Sequence, residues 1–122
     1  MNGIDFLADT NVLLYILENL PQAEEISKHF FAVSAISEIE LLGKKDISQQ
    51  EVKIIKNLLQ DCALLPFTNE VKEKTIELKQ KYTIKVPDAI IAATSICAGI
   101  PLITADKGFE KITELNLHLL KL

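Results

Sequence analysis

Short apolar segments alternate with longer amphipathic ones along this chain, and this alternation constrains the fold more than any other feature. The apolar segments predict strands over residues 4–8, 30–33, 63–65, 102–103 and 117–120. Strands that are separated by helices pair in parallel, because each connection has to cross the sheet. The sequence therefore predicts an α/β fold in which helices cover both faces of a central parallel sheet of about five short strands.

The segments between these strands carry the start and stop signals of helices. Ser34 is a suitable N-cap, and Ser48 begins an S-x-x-E capping box. Helices are predicted over residues 11–18, 21–29 and 69–82, after Ser34, after Ser48, and between Pro87 and Gly99. The last of these helices is apolar on nearly every side, so it should lie in the middle of the domain.

The length and composition fit one domain. The chain has 122 residues, of which 48% are hydrophobic and 25% are charged, so we expect residues 1–122 to form a single domain. No apolar run is long enough to cross a bilayer, and the first residues lack the pattern of a signal peptide. A cytoplasmic location is expected. The two cysteines form no CxxC pair, which disfavours a zinc site.

Four acidic residues end or follow apolar segments. Asp9 follows the first predicted strand and Asp106 the fourth, whereas Glu40 and Asp88 lie on predicted helices. Ligands of parallel sheets bind beyond the carboxyl ends of the strands, so Asp9 and Asp106 should lie at that edge and the other two could lean over it. Carboxylates that approach one another repel unless a cation compensates. If the fold gathers these four, a bound divalent metal is the expected reason.

Each acid also has a simpler structural explanation. Asp9 could cap a helix, Asp88 could complement a helix N-terminus, and Asp106 could be a turn residue. Glu40 is surrounded by apolar positions and would need a partner beside a buried stripe. Taken together, the four favour a site of hard oxygen ligands suited to Mg²⁺ or Mn²⁺. Such a metal can polarise a phosphoryl oxygen and activate a bound water.

The balance of charge limits how the chain could contact a nucleic acid. Its 13 basic and 17 acidic residues give a net charge of −4, which argues against an indiscriminate binder with a broad basic face. All 13 basic residues are lysines, so phosphate contacts must come from lysine, backbone amides or metal. Lys107, next to Asp106, is the best candidate for such a contact.

At these acidic residues the chain resembles the PIN-domain family, and within it the VapC-type toxins of bacterial and archaeal type II toxin–antitoxin pairs. The resemblance rests on four segments in the family's order and approximate spacing, which read DTNVLLY from residue 9, VSAISEIEL from residue 33, PDAIIAA from residue 87 and LITADKGF from residue 102. It implies a compact three-layer α/β/α PIN-like fold and a Mg²⁺- or Mn²⁺-dependent endoribonuclease. A cognate antitoxin and a homodimer are also implied.

The resemblance also assigns site residues by position. It makes four residues the metal ligands and catalytic residues, namely Asp9, Glu40, Asp88 and Asp106. In this assignment, metal-activated water hydrolyses an RNA phosphodiester bond, and Asn11 and Thr104 are polar supports. Glu40 is preferred to Glu38 because it directly precedes Leu41, as the family's glutamate precedes a leucine.

Two other hypotheses remain open at this point. A non-catalytic PIN-like module could bind RNA or protein without cutting, although it would have no need of four mutually repelling acids. Another doubly wound phosphate-handling fold, such as a receiver or a haloacid-dehalogenase-like phosphatase, fits less well. The phosphatase needs an aspartate where this chain has Asn11, and Asp5 is poorly placed for the paired acids of a receiver.

Overall fold

The computed structural model describes residues 3–121, which form a five-stranded sheet, six α-helices and one 3₁₀ helix. The strands are β1 Leu7–Ala8, β2 Ala32–Ser34, β3 Ala63–Leu65, β4 Leu102–Thr104 and β5 Leu117–Leu119. The helices are α1 Thr10–Leu17, α2 Pro21–Ser27, α3 Ala35–Leu42, α4 Gln49–Gln60, α5 Asn69–Lys81 and α6 Val86–Ala98. The 3₁₀ helix spans Lys107–Lys111 and connects β4 to β5.

The sheet is parallel throughout, and its strand order is β3-β2-β1-β4-β5. The chain starts in the centre with β1, moves outwards to β2 and β3, and then crosses back to β4 on the other side of β1. This reversal leaves a crevice between the carboxyl ends of β1 and β4, which is where ligands bind in open parallel sheets. The predicted α/β fold with five short parallel strands is confirmed.

Alternate residues of the central strands face two separate cores. Leu7 and Ala32 pack with buried residues of α5 and α6, whereas Phe6, Ala8 and Val33 pack with α1, α2, α3 and α4. Successive strand side chains point to opposite faces of a sheet, so each short strand contributes to both cores. The result is the predicted three-layer α/β/α arrangement, in which the central strands are covered on both sides.

The helix signals of the sequence are confirmed. The Ser34 hydroxyl accepts a hydrogen bond from the Ser37 N–H at the start of α3. Ser48 and Glu51 form a complete capping box on α4. Gly99 ends α6 in the left-handed conformation with a φ of 69°, which glycine adopts at little cost.

Several predicted boundaries differ from the structure by a few residues. Only Leu7–Ala8 of the predicted 4–8 strand is paired as a strand, and β2 begins at Ala32 instead of residue 30. Phe30 is apolar and was therefore included in the predicted strand, but its side chain is 45% exposed and the residue lies outside the sheet. The second helix ends at Ser27, before His29. Within residues 3–121, no helix combines the length and apolarity that a membrane span requires.

Candidate functional site

Asp9 lies at the end of β1 and is the most buried of the four acids, with 4% of its surface exposed. One carboxylate oxygen, Oδ1, accepts a hydrogen bond from the Thr10 N–H at 2.7 Å, and Oδ2 accepts one from the Thr104 hydroxyl at 2.6 Å. Burial raises the pKa of Asp9, the charges of Asp88 and Asp106 raise it further, and the two hydrogen bonds oppose the rise. Asp9 therefore caps α1, as its simpler explanation held, and also faces two other acids of the predicted site.

The Thr104 hydroxyl joins two of the acidic residues. It is fully buried at the end of β4, donates to Asp9, and accepts the Asp106 N–H at 3.0 Å. Asp106 in turn accepts the Gly108 N–H through Oδ1 at 2.8 Å, which holds the turn that leads into the 3₁₀ helix. These contacts position Asp9 and Asp106 on either side of the crevice. They give the predicted supporting role of Thr104 a physical basis.

Glu40 is connected to the site by a chain of hydroxyl groups. The Thr10 hydroxyl donates to Glu40 Oε1 at 2.7 Å, and the Thr10 Oγ1 atom also lies 2.7 Å from the Ser37 hydroxyl. A hydroxyl has one proton to donate, so Ser37 must be the donor to Thr10. Ser34 donates to Ser37 at 3.4 Å. The donors therefore run in one direction, from Ser34 through Ser37 and Thr10, and end on the carboxylate.

Thr10 and Ser37 were not predicted from the sequence as parts of the site, although their hydroxyls connect to Glu40. Two signals could have indicated them. A hydroxyl residue directly follows Asp9, and two serines lie three residues apart at the start of the helix that carries Glu40. Ser37 is fully buried in a position where an apolar residue is the usual choice, and a buried hydroxyl requires a hydrogen-bond partner.

Glu40 lies beside apolar positions that are buried, as the sequence predicts, because Leu41 is buried and Ile36 and Leu42 pack against the two cores. Glu40 is exposed, and Ile39 next to it is 63% exposed. The fully buried positions of α3 are Ser37 and Leu41, so the buried face of this helix is partly polar. The argument that the carboxylate needs a partner nevertheless holds, because Thr10 supplies one.

Asp88 lies in the first turn of α6, where it is half-buried and lines a groove together with Asp106. Burial raises its pKa, the neighbouring charges of Asp106 and Glu40 raise it further, and Lys85 opposes the rise. Asp88 and Asp106 also act on Asp9. These mutual effects link all four acids electrostatically at one end of the sheet.

The donor set suits a hard divalent cation, because all four side chains offer carboxylate oxygens. Burial, and then the charges of neighbouring acids, raise the pKa of Asp9 and of Asp88, and a bound cation would offset both costs. Within residues 3–121, however, no group of three or more acidic, histidine or cysteine side chains is arranged to hold a metal ion as it stands. Glu40 and Asp106 are exposed, so their carboxylates are accessible to a cation from the solvent.

The two remaining predicted residues, Asn11 and Lys107, are exposed. Asn11 lies in the first turn of α1 and is exposed, and in the described part of the chain its side chain has no hydrogen-bond partner. Lys107 is also exposed and begins the 3₁₀ helix directly after Asp106. The supporting role of Asn11 and the phosphate contact of Lys107 stay predictions.

Comparison with known families gives one match, to the PIN domain, over residues 6–115. This range includes β1 through the 3₁₀ helix and contains all four acids. No curated protein sequence matches the chain.

Solved structures with the same fold come from bacterial complexes. A toxin–antitoxin complex from Klebsiella pneumoniae contains a chain that is 26% identical, with a TM-score of 0.79 over 91% of this chain and 95% of the other. VapBC-1 from nontypeable Haemophilus influenzae is 25% identical, with a TM-score of 0.78 over 95% and 98% of the two chains. DNA-bound VapBC from Salmonella typhimurium shares the fold with a TM-score of 0.83 at 19% identity, over 97% and 99%.

Proposed function

This chain belongs to the PIN-domain family, and from that premise we propose that it is a metal-dependent endoribonuclease, the toxin of a VapC-type toxin–antitoxin pair. The resemblance predicted from the sequence, to PIN domains and to the VapC type, is confirmed. Nuclease activity is typical of such domains. The observation that carries the proposal is the hydrogen-bonded connection from Asp9 through Thr104 to Asp106, to which Asp88 is coupled by charge.

The four acids would hold Mg²⁺ or Mn²⁺ in the crevice between β1 and β4. When bound, such an ion polarises a phosphoryl oxygen and lowers the pKa of a water that attacks the phosphodiester bond. Hydrogen bonds within the chain orient the carboxylates of Asp9 and Glu40. Thr104 and the Thr10 N–H fix the Asp9 carboxylate, and the Thr10 hydroxyl holds one oxygen of Glu40. Side chains that are fixed before the substrate arrives lose little entropy when it binds.

A cognate antitoxin is proposed as the partner that holds the activity in check. Support comes from structural neighbours, since similar chains belong to a toxin–antitoxin complex from Klebsiella pneumoniae and to VapBC-1 from nontypeable Haemophilus influenzae. A homodimer belongs to the same proposal on the basis of the family resemblance. A single domain over residues 1–122 and a cytoplasmic location are also proposed, on the basis of length, composition and the lack of long apolar runs.

The second candidate is a PIN-like module that binds RNA or protein without cutting it. One observation favours it, namely that no ready metal site is assembled within the described residues. Against it stands the grouping of the acids: burial, and then the charges of neighbouring acids, raise the pKa of Asp9 and of Asp88. A module that only binds has no need of such a group.

Cleavage of total cellular RNA by the purified chain distinguishes the two candidates. We expect discrete cuts with Mg²⁺ or Mn²⁺ and none with EDTA. Glu40→Gln should abolish most of the cutting, whereas Glu38→Gln, which removes the same charge from the same helix outside the acidic site, should leave it unchanged. Equal activity of the two variants would contradict the assignment of Glu40. No cutting by a folded chain that binds Mn²⁺ would favour the binding module.

A further inference from the structure

A groove of about 680 Å³ begins at Asp88 and Asp106 and continues along one side of the protein. It lies between the end of α5, the loop that leads into α6, and the 3₁₀ helix. Three lysines line it, namely Lys79, Lys85 and Lys111, and its only acidic lining residues are the two aspartates at its mouth. The groove therefore carries negative charge at the end formed by Asp88 and Asp106 and positive charge along the part lined by the three lysines.

The chain itself holds two of these lysines in place. The Lys79 ammonium donates to the Ile84 carbonyl at 2.6 Å, and the Lys111 ammonium donates to the Thr83 carbonyl. An ammonium has three N–H donors, so one carbonyl contact leaves two free for another acceptor. Lysines that are already ordered lose less side-chain entropy when a ligand binds than freely moving ones. Lys85 immediately precedes α6 and is exposed.

Two of the three groove lysines hold backbone carbonyls, and Lys85 offsets part of the negative charge around Asp88. Elsewhere in the described residues, four lysines are paired with glutamates: Lys28 with Glu25, Lys44 with Glu51, Lys74 with Glu77, and Lys81 with Glu114. Within residues 3–121, Lys79, Lys85 and Lys111 form no salt bridge. Other lysines in these residues also lack a salt bridge, but here three of them line one groove beside the acidic site of a chain with a net charge of −4. This clustering points to an anionic ligand.

We propose that Lys79, Lys85 and Lys111 bind the phosphate backbone of the RNA strand on one side of the bond that is cut. This inference rests on the proposed function. A strand whose scissile phosphate lies at Asp88 and Asp106 must continue across an adjacent surface, and the groove is a concave adjacent surface on which three lysines lie together. Such contacts supply affinity and register without reading the base sequence. Lys107, the candidate from sequence, does not line the groove.

The test measures binding of a fluorescein-labelled pool of random single-stranded RNA, about 20 nucleotides long, in EDTA. Phosphate contacts are independent of sequence, so a random pool is a suitable probe. The groove variant carries Lys79→Gln, Lys85→Gln and Lys111→Gln. The matched control carries Lys53→Gln, Lys56→Gln and Lys72→Gln, which removes the same charge from exposed lysines outside the groove. A third variant replaces the three groove lysines by arginine.

The groove variant should bind the pool at least about tenfold more weakly at low salt, and the slope of log affinity against log salt should fall by about two, at about 0.7 per lost contact. The control and the arginine variant should bind like the parent chain, and the arginine variant also excludes a loss that is due to misfolding. Equal loss in groove variant and control, or no loss in either, would overturn the inference. If the parent chain cuts RNA with Mn²⁺ while the groove variant binds normally, only the groove assignment fails. If the parent chain neither binds nor cuts RNA, the proposed function fails with it.

Discussion

Replacement of Thr104 by valine tests the contact on which the geometry of the acidic site depends. Valine has nearly the same shape as threonine but carries a methyl group in place of the hydroxyl. Thr104 is fully buried, so no water can replace the lost hydroxyl without rearrangement. The Asp9 carboxylate loses its donor at 2.6 Å, and the Asp106 N–H loses its acceptor at 3.0 Å. Thr104→Ser is the control, because serine keeps the hydroxyl and loses only a methyl group.

The expected loss follows from these two contacts. A hydrogen bond to a charged group contributes about 1.5–3 kcal/mol, and the partly exposed Asp106 N–H adds little because water can reach it. We therefore expect the free energy of unfolding to fall by about 2 kcal/mol. A chain of this length has an unfolding entropy that converts this loss into a decrease in Tm of roughly 8 °C. Serine should cost about 1 kcal/mol, from the deleted methyl group alone.

Thermal unfolding followed by circular dichroism in EDTA measures the stability, and titration calorimetry with Mn²⁺ measures the site. Loss of the Thr104 donor removes the contact that orients Asp9 Oδ2, so the valine variant should bind Mn²⁺ more weakly than the serine variant. If the valine variant were as stable as the parent chain and bound Mn²⁺ equally well, the positioning role of Thr104 would be refuted.

Three further changes have defined outcomes. Asp88→Asn should stabilise the metal-free protein at pH 7. The pKa of Asp88 is higher in the fold than its ordinary value of 3.8, so the contribution of this carboxyl to stability is fully present only below that value. The contribution is lost as the pH rises through the pKa of the folded state. Urea unfolding at pH 7 and near pH 3 should show the gain shrinking at the acid end, and a constant gain would contradict the repulsion. Ser48→Ala should cost about 1 kcal/mol in the same assay, through loss of the capping box on α4, with RNA cleavage unchanged. Gly99→Ala should also cost about 1 kcal/mol, because the residue has a φ of 69°, and an unchanged urea midpoint would contradict the strain argument.

Much of the fold could be predicted from the sequence because its signals are local. The apolar segments and caps such as Ser34 and Ser48 depend on neighbours in the chain, and they predicted all five strands and the α/β class. The strand order could not be obtained in this way, because it depends on contacts between distant segments. The location of the crevice between β1 and β4 follows from the strand order and therefore could not be predicted from the sequence.

The candidate site was predicted less completely. The positions of Asp9 and Asp106 at strand ends placed both at one edge of the sheet. The connection of Glu40 to the site through Thr10 could not be predicted, because these residues are separated by 30 positions and meet only in the folded chain. The buried face of α3 could be predicted only in part, because Ser37 takes an interior position where sequence patterns favour an apolar side chain, whereas Ile39 is exposed.

The groove lysines also could not be predicted from the sequence, because they come together only in the folded chain. Lys79 and Lys111 lie far apart in the sequence, and each looks like an ordinary solvated lysine. Only the fold places both against the loop before α6, beside Asp88. Lys107 was preferred from sequence because it adjoins Asp106, but adjacency in the chain does not determine which way a side chain points.

Titration calorimetry of the purified chain with Mn²⁺ tests the central claim most directly, namely that Asp9, Glu40, Asp88 and Asp106 form a metal site. The chain should bind Mn²⁺, and both Asp9→Asn and Asp88→Asn should lose that binding while they remain folded by circular dichroism. Each variant should lose RNA cleavage together with the metal. Absence of Mn²⁺ binding at millimolar concentration, or binding that persists unchanged in both variants, would contradict the claim.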